Sequence, residues 1–521
     1  MRWKNSVLAA AVCIAVLMLT FGIPTAAARG TSGPTTAGPA NHTIVVLPNG
    51  HDDTADIQAA FNACGSYGPG CTVELVKGTY YTAQIAVYGF QGSFVGAGQG
   101  RTVIQALPNL PAPNPTYNTA TVPFWAGNPT GAAGSNPWPD LFTFVGGTFS
   151  ISGMTINELN ANPITSPGWE GVTALYAVIL VTGEQADAAI AQVTVNGAAG
   201  DITGYAPGTT VSFSFNLDAS IEYMGMFLPA GWSLVGNYYT EQIPLSGMFS
   251  LTDSVISWSA SAFWFENLLS ATVSVDSNVI SSSPSPGSTD LSNSQLFIAG
   301  NVITNLMIGA LVLEQSYYKT NLLPSTVYVT GNYIATNWGG SGPFVIDLGT
   351  PSTLSAVITG NTVVTDTSCG CYNPGYPVIG AIEADMSQVT TSILVSHNTI
   401  LGGGNGISFL RGPNTVVSDN YISGAMIGVL LGCYPVTSVC LADWGFNSTA
   451  TGVLVTGNVI KNSLVYGIAV MGYSNDNVVA WNSITGTASG GYDLYWDLTG
   501  TGNVWFGNYC GDHTSSPPGL C

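Results

Sequence analysis

Acidic residues end four short apolar segments in the second half of the chain. The segments read AFWFE, ALVLE, PFVID and AIEAD, and their acids are Glu266, Glu314, Asp347 and Asp385, with Glu383 two residues before the last of them. If each segment is a strand, its apolar second and fourth residues face one side and the acids face the other, because strand side chains alternate. Hydrolysis of a glycosidic bond needs two such carboxyl groups, one that holds a proton and one that acts as base or nucleophile.

When the segments are aligned by their ends, they predict one outward column of carboxylates on consecutive strands. Asp290 is a weaker candidate for a strand between the first two segments. Two carboxylates about 5 Å apart repel by about 3 kcal/mol at an effective dielectric of about 20, which is a cost that folding alone does not require. Neighbouring strands and alternate residues of one strand span about 5 to 7 Å, which suits a catalytic pair. The alternative is a solvated face, with the acids at the start of turns and pointing apart.

Aromatic residues accompany these acids. Trp264 is the third residue of AFWFE, and Tyr495 is the third residue of the later segment DLYWD; both positions face outward. Tyr317 and Tyr318 follow the acid of ALVLE. An aromatic face suits the apolar C–H face of a sugar ring, so these residues are candidates for substrate binding. Arg411 is one of few cations and could contact the same groove. The alternative is an aromatic row on the surface that only stiffens the stack of strands.

A repeat in the sequence indicates the elements that position these residues. From about residue 270 an Asn followed by a β-branched or aromatic pair recurs, at Asn278, Asn301, Asn332, Asn361, Asn398, Asn420, Asn458, Asn482 and Asn508. The short intervals are 22 to 26 residues, and the longer ones, 29 to 38 residues, are interpreted as the same unit with an inserted loop. Self-similarity at this period in strand-rich segments indicates a β-solenoid. Stacked Asn side chains at one turn would form an amide ladder, so we assign this column no catalytic role. His397, beside the column, is interpreted as a turn residue.

The N-terminal block predicts a short helix that covers the open end of the solenoid. Asp53 or Thr54 can cap it, and Ile57, Ala60, Phe61 and Cys64 follow at helical spacing. The order DDTADIQAAFNAC, TVELVKGTYY and FVGAGQGRTVI over residues 43–105 resembles the opening of pectate-lyase-superfamily proteins. The resemblance implies an all-β fold, a single-stranded right-handed parallel β-helix with a short N-terminal capping helix. The superfamily includes lyases, hydrolases, epimerases and proteins without known activity, so the resemblance does not select an activity.

Composition outlines the remaining segments and the compartment. Residues 1–28 read as a secretory signal peptide, with Arg2 and Lys4 before an apolar stretch and Ala26–Ala28 as a cleavage site; a retained membrane anchor is the alternative. Residues 29–42 are predicted to be a flexible linker, 43–510 the β-helix with loop insertions near 106–140 and 197–250, and 511–521 a C-terminal tail. A secreted or extracellular protein is expected.

Charge excludes several partners. The formal net charge is −20, and removal of the signal peptide leaves six basic residues against 28 acidic ones. Nucleic acid and anionic membranes bind clustered Lys and Arg, so neither is expected as a partner, and a polyanionic glycan is disfavoured. We expect a monomer that binds a polysaccharide or oligosaccharide.

Eight cysteines remain after signal cleavage, in four pairs that lie close along the chain. We predict disulfides Cys64–Cys71, Cys433–Cys440 and Cys510–Cys521, while the pairing of Cys369 and Cys371 stays open. A metal site is the rival interpretation, although the chain has four His residues and no CxxC motif.

Three functions remain. The first is a glycoside hydrolase that uses Glu314, Asp347, Glu383 and Asp385 and needs no cofactor. The second is a lyase or epimerase, for which the resemblance implies a basic residue and calcium; here Lys319, Arg411 and Lys461 are scattered, but calcium held by the acids could replace missing cations. The third is a non-catalytic glycan-binding or cell-surface β-helix.

Overall fold

Short strands that wind in successive coils make up most of the described chain. The computed structural model describes residues 42–83, 85–107, 141–157, 177–196, 219–224, 226–228, 241–243, 245–257, 261–281, 287–304, 311–314, 323–336, 346–348, 354–365, 380–385, 392–411, 414–432, 449–511 and 515–521. These residues belong to one compact unit, Asn41–Cys521. The segments interpreted as signal peptide and linker lie outside the described residues, apart from His42.

In the described part of the chain, one strand and one helix come first, and the later elements are strands. The helix is α1 (Thr54–Tyr67). The first nineteen strands are β1 (Thr43–Val46), β2 (Cys71–Leu75), β3 (Gly78–Thr82), β4 (Ile85–Gly96), β5 (Thr102–Ala106), β6 (Phe142–Asn157), β7 (Ala177–Asn196), β8 (Ala219–Met224), β9 (Met226–Leu228), β10 (Glu241–Ile243), β11 (Met248–Thr252), β12 (Val255–Ser257), β13 (Ser261–Leu269), β14 (Thr272–Asp276), β15 (Val279–Ser281), β16 (Gly287–Ser292), β17 (Gln295–Ala299), β18 (Val302–Thr304) and β19 (Leu311–Glu314).

The remaining strands continue the same winding to the C-terminus. They are β20 (Ser325–Thr330), β21 (Tyr333–Thr336), β22 (Ile346–Leu348), β23 (Leu354–Thr359), β24 (Thr362–Thr365), β25 (Gly380–Asp385), β26 (Ile393–Ser396), β27 (Thr399–Leu401), β28 (Asn405–Arg411), β29 (Thr415–Ser418), β30 (Tyr421–Ser423), β31 (Ile427–Leu431), β32 (Leu454–Thr456), β33 (Val459–Lys461), β34 (Tyr466–Val470), β35 (Val478–Ala480), β36 (Ser483–Thr485), β37 (Tyr492–Trp496), β38 (Val504–Phe506) and β39 (Tyr509–Cys510).

Each coil contributes one strand to each of three parallel stacks, which confirms the predicted right-handed parallel β-helix. From β11 onward every strand pairs with the strand three further along the chain, so β14 lies on β11 and β17 lies on β14. We call the stack from β13 to β37 stack 1, the stack from β11 to β38 stack 2 and the stack from β12 to β39 stack 3. Of the described strands, only β9 and β10 pair outside this sheet, antiparallel to each other.

Alternation of side chains builds the interior. In stack 3 the second residue of each strand faces inward. Register neighbours at this position form a continuous aliphatic row that includes Ile280, Ile303, Ile334, Val363, Ile400, Ile422, Ile460 and Ile484. All eight side chains are fully buried. Complete burial of one such side chain stabilises the fold by about 1.5–3 kcal/mol. A slip of one residue would move the whole row to the surface, so this pattern favours one register.

The asparagine column forms the predicted ladder at the turn between stacks 2 and 3. From Asn278 to Asn482, each amide Nδ2 and each backbone N–H donates to Oδ1 of the next Asn, over 2.9–3.0 Å. Nδ2 also donates to a main-chain carbonyl, as from Asn332 to Ile298 at 2.9 Å. The residue before each Asn has positive φ, and His397 (φ 56°) is one of these turn residues.

Helix α1 covers the N-terminal end as expected. Its buried residues are the four that the helical spacing predicts: Ile57, Ala60, Phe61 and Cys64. Asp53 occupies the N-cap position, but its buried carboxylate accepts the N–H groups of Asn49 (2.8 Å) and Tyr81 (2.9 Å) instead of capping the helix. It therefore ties the start of the helix to the first coils.

Two of the predicted disulfides are confirmed. Cys64–Cys71 joins α1 to β2, and Cys510–Cys521 joins the last strand to the tail. The tail pairs with the end of stack 1, since Ser516 bridges to Tyr495, and Leu520 is buried against the core. The pair Cys433–Cys440 lies outside the described residues, as do Cys369 and Cys371.

The predicted insertions lie only partly within the described chain. Residues 108–140 are outside it. The range 197–250 contains β8, which pairs with β7 and β13, so the sheet continues through part of that range. No helix in the described part of the chain is both long and apolar enough to cross a bilayer.

Replacement of an inner ladder residue should destabilise the protein. Asn332→Ala removes the acceptor of the Asn301 amide groups and the donor to Ile298, and we expect a loss of about 3 kcal/mol because these buried groups lose their partners. The half-buried Asn508, at the end of the ladder, is the matched control, and Asn508→Ala should cost about half as much. Thermal unfolding measures both. Equal losses for the two variants would contradict a ladder that stabilises through burial.

Tyr80 should make the N-terminal coils sensitive to high pH. Its hydroxyl donates to the carbonyls of Val46 (2.8 Å) and Val76 (3.1 Å), and burial together with the charge of Asp53 raises its pKa from 10.0 to about 12. The folded state favours the neutral phenol, so this contribution is complete below pH 10 and is lost as the pH rises toward 12.

Tyr80→Phe should therefore lower the unfolding temperature at pH 8 but flatten its fall between pH 10 and 12, measured by circular dichroism. The half-exposed Tyr67 is the control, and Tyr67→Phe should follow the wild-type curve. A fall in the Tyr80→Phe variant as steep as in the wild type would contradict this role.

Candidate functional site

Two outward columns of stack 1 carry the acids that the sequence singles out. The first column runs through register partners Trp264, Gly287, Val312, Asp347, Glu383, Ser408, Leu430, Ala469 and Tyr495. The second column, two residues further along each strand, holds Glu266, Thr289 and Glu314 and, in later coils, Asp385 and Arg411. Residues of stack 1 that alternate with these columns, such as Phe265 and Ile382, are buried in the core, so both columns occupy outer-face register positions.

The expected single column of acids is wrong. Asp347 pairs with Glu383 in the first column, whereas Glu266, Glu314 and Asp385 belong to the second. Strand β22 spans Ile346–Leu348, so Asp347 lies in its middle rather than at its end. An alternating pattern looks the same after a shift of two residues, and therefore the apolar spacing of PFVID does not determine this register.

The first two acids of the second column are not on consecutive coils. Strand β16 lies between β13 and β19, and Thr289 is the register partner of both Glu266 and Glu314. The candidate Asp290 is the next residue and not their partner. The backbone positions of these two acids are thus about 9–10 Å apart, and Thr289 separates them.

Asp347 and Glu383 are the closest pair of acids in the register. Their strands are neighbours, so their backbone positions are about 4.8 Å apart, and Asp385 is about 7 Å beyond Glu383 on the same strand. Carboxyl groups about 5–5.5 Å apart serve retaining glycosidases, and groups about 6.5–9.5 Å apart serve inverting ones. The backbone positions of Asp347, Glu383 and Asp385 thus have spacings close to both of these ranges, within two strands.

Glu383 has a defined and buried environment. The residue is 3 % exposed, and Oε2 accepts the backbone N–H of Gly380 at 3.0 Å. Its register partner Ser408 is fully buried, and Nδ2 of Asn405 donates to Ser408 Oγ at 3.5 Å. A buried carboxyl group needs hydrogen-bond partners of this kind, since an unpaired charge is costly to bury.

Gly380 is needed for this arrangement. A Cβ at this position would lie 2.6 Å from Ser408 Oγ and 2.8 Å from the carbonyl oxygen of Ile382. Any side chain would therefore push the strand away from β28 and move the N–H that Glu383 accepts. Sequence reasoning missed Gly380, Asn405 and Ser408, although a Gly at the start of a strand beside an acid is a readable signal.

A β-bulge brings Arg411 beside an acid. The register between β25 and β28 shifts after Ala384, so that Asp385 pairs with Arg411 instead of Leu410. The sequence does not show this shift, because an extra residue in one strand leaves no mark in an apolar pattern. The acidic Asp385 and the basic Arg411 are thus register neighbours on adjacent strands.

The aromatic candidates do not lie together. Trp264 is in the first column, three coils before Asp347, and Tyr317 and Tyr318 lie outside the described residues. Tyr495 is four coils beyond Glu383, about 19 Å away. It stacks on Tyr466, with ring centroids 4.3 Å apart, and Tyr492 lies 6.1 Å away. The sequence did not single out Tyr466 and Tyr492, although they open two successive strands.

Between Tyr495 and the acids the outer face is apolar. Leu430 and Ala469 are fully buried and cluster with Ile427 and Met471. Among the described side chains, no three His, Cys, Asp or Glu residues converge to form a metal site. Calcium therefore stays a prediction for the acids of the two columns.

Comparison with known proteins yields likenesses of structure. No protein-family model and no curated protein matches the sequence. The catalytic unit of a thermostable GH87 α-1,3-glucanase from Streptomyces thermodiastaticus aligns with TM-score 0.47 and 14% identity, over 88% of this chain and 66% of that one.

Two further solved structures align with lower TM-scores. The A-module of mannuronan C-5 epimerase AlgE6 from Azotobacter vinelandii aligns with TM-score 0.38 and 14% identity, over 90% of this chain and 96% of that one. The family 28 exopolygalacturonase from Yersinia enterocolitica aligns with TM-score 0.38 and 10% identity, over 92% and 79%. The fold assignment itself rests on the strand register described above.

Filling the space at Gly380 should disturb the site. Gly380→Ala places a methyl group against Ser408 and Ile382, and we expect a loss of about 1–3 kcal/mol from overpacking. The matched control is Gly65→Ala in α1, where a Cβ meets nothing within 4 Å, and it should stabilise the protein by about 0.5–1 kcal/mol. Chemical unfolding measures both changes. No destabilisation by Gly380→Ala would contradict the close contact with Ser408.

Proposed function

We propose that the protein hydrolyses a polysaccharide outside the cell, with the carboxyl groups of Asp347 and Glu383 as the reacting pair. The observation that carries the proposal is their register: the two acids occupy neighbouring positions on adjacent strands of one outer face. Asp385 and Glu314 belong to the second column and supply further carboxyl groups near the pair. Two acids so close favour retention of a proton by one of them, as an acid catalyst requires.

The surroundings of Glu383 support a chemical role. Its carboxyl group is buried and receives the N–H of Gly380, so its position is fixed before a substrate binds. A carboxyl group held by rigid strands is preorganised, whereas a surface acid on a turn is not. A buried acid is not required by the stack, because the three positions that follow Glu383 in the column are filled by the uncharged residues Ser408, Leu430 and Ala469.

Charge and compartment favour a neutral extracellular substrate. The net charge of −20 repels polyanions, and a neutral glycan avoids that repulsion. The N-terminal segment read as a signal peptide and the disulfides Cys64–Cys71 and Cys510–Cys521 support secretion, since disulfides persist in oxidising compartments.

A second candidate is a lyase or epimerase acting on a uronate polymer. The observation that favours it is the bulge that pairs Asp385 with Arg411, because this chemistry needs a cation beside the substrate carboxylate. Calcium bound by the acids would supply further positive charge. A net charge of −20 opposes capture of such a polymer, and for this reason hydrolysis is preferred.

A screen of product chemistry separates the candidates. The purified protein is incubated with neutral and acidic polysaccharides, with and without a chelator, and reducing ends and unsaturated ends are measured. Hydrolysis predicts new reducing ends from a neutral glycan, unaffected by the chelator. Unsaturated ends that require calcium would instead support the lyase. Binding without turnover would contradict both and leave the glycan-binding β-helix.

Neutral replacement of either acid should abolish turnover without unfolding the protein. Glu383→Gln keeps an oxygen that can accept the Gly380 N–H, and Asp347→Asn conserves shape, so both should keep the wild-type unfolding temperature. Loss of an essential acid or base reduces kcat by about a hundredfold or more. Asp419→Asn, at an exposed turn with φ 55°, is the control and should retain full activity. Wild-type turnover by Glu383→Gln would exclude this residue from the chemistry.

A further inference from the structure

Stack 3 carries three exposed tyrosines in one register column. Tyr333, Tyr421 and Tyr509 are the first residues of their strands and are 43%, 37% and 61% exposed. They belong to one register column, in which Thr362 and Thr399 separate the first two and Val459 and Ser483 separate the last two. We call the residues of this column from Tyr333 to Tyr509 the tyrosine column.

The tyrosines recur at a constant interval. Three coils separate Tyr333 from Tyr421, and three coils separate Tyr421 from Tyr509, so the backbone interval is about 14 Å in both cases. Single coils in this column differ in length, from 22 to 38 residues, yet both pairs of tyrosines are 88 positions apart in the chain and three coils apart in space. The residues between carry hydroxyl groups or short aliphatic side chains, so no large side chain of this column rises between the rings.

The physical chemistry of the column is that of a sugar-binding surface. A phenol ring presents an apolar face, and its hydroxyl group can form a hydrogen bond at the edge. Part-exposed Thr362, Thr399 and Ser483 supply further hydroxyl groups along the line. Lys461 Nζ lies 5.7 Å from the centroid of the Tyr421 ring, which is within the range of a cation–π contact. Pyranose rings offer the complementary surface, with apolar C–H faces and hydroxyl groups around the edge.

We propose that the tyrosine column binds a single extended chain of a neutral polysaccharide. The chain runs parallel to the axis of the β-helix, from one coil to the next, and stacks on Tyr333, Tyr421 and Tyr509. The length of a sugar unit is close to the spacing of the coils, about 4.8 Å, so a chain with one unit per coil meets a ring at every third unit. The binding is non-catalytic, because the column contains no acid. It uses stack 3, whereas the proposed hydrolysis uses stack 1, and neither depends on the other.

The area and charge of the column favour this ligand over a protein. A stable protein dimer buries about 800 Å² on each partner, and a column one residue wide, with small residues between its rings, exposes much less. A single glycan chain has the same narrow shape. The ligand is neutral because the chain carries 28 acids and eight bases, which repel a polyanion.

Binding to neutral glycans tests the proposal directly. The full-length secreted protein is sedimented with insoluble cellulose, chitin and 1,3-linked glucan, and titrated with soluble hexasaccharides of each, in the wild-type and Glu383→Gln backgrounds. At least one glycan should bind in both backgrounds, whether or not it is cleaved. Affinity should fall about fivefold for each Tyr→Ala change and about a hundredfold for all three.

Matched variants separate binding from folding. The triple Tyr→Phe variant keeps the rings and should bind within about twofold of the wild type. Tyr473 is 56% exposed and lies outside the column, so Tyr473→Ala should leave affinity unchanged. Unfolding temperatures confirm that all variants are folded. The proposal is overturned if no glycan of the panel binds, if the triple Ala variant binds like the wild type, or if the tyrosines prove to hold a dimer that sedimentation detects.

Discussion

The hydrogen bonds of the asparagine ladder hold each coil in register with the next. Every inner Asn satisfies the N–H and the amide of one neighbour and donates to the oxygen of the other, at distances near 2.9 Å on both sides. Because these groups are buried, a coil that slipped would leave several donors without partners. Hydrogen bonding in the ladder and apolar packing in the aliphatic row of stack 3 therefore favour the same register. Agreement between separate interactions favours a single fold.

Because the register is fixed, the positions of residues along the chain determine which of them are neighbours on the outer faces. It makes Asp347 and Glu383 neighbours although 35 other residues separate them in the chain, and it places Ser408 on the next strand. The bulge after Ala384 is the local exception and brings Arg411 to Asp385. The same register spaces three tyrosines evenly on stack 3. Both proposed functions thus depend on the scaffold, while each uses a different face.

The fold was readable from the sequence because its signals repeat. The Asn phrase, the α1 spacing around Ile57 and Phe61, and the close pairs Cys64–Cys71 and Cys510–Cys521 each reflect a local constraint, and the structure confirms them. The site was only partly readable. Alternation has a period of two, so the sequence indicated the outer face correctly but not whether Asp347 pairs with Glu314 or with Glu383. The bulge at Arg411 and the contact of Gly380 with Ser408 are relations between strands, which no single segment records.

The most direct test of the pairing is a crystal structure of the Glu383→Gln protein with a bound oligosaccharide of the glycan that the screen identifies. We predict a sugar ring over stack 1, with a glycosidic oxygen between the side chains at positions 347 and 383 and within hydrogen-bond distance of one of them. An oligosaccharide bound to stack 1 with its glycosidic oxygens away from both side chains, or carboxyl groups on different faces, would contradict it.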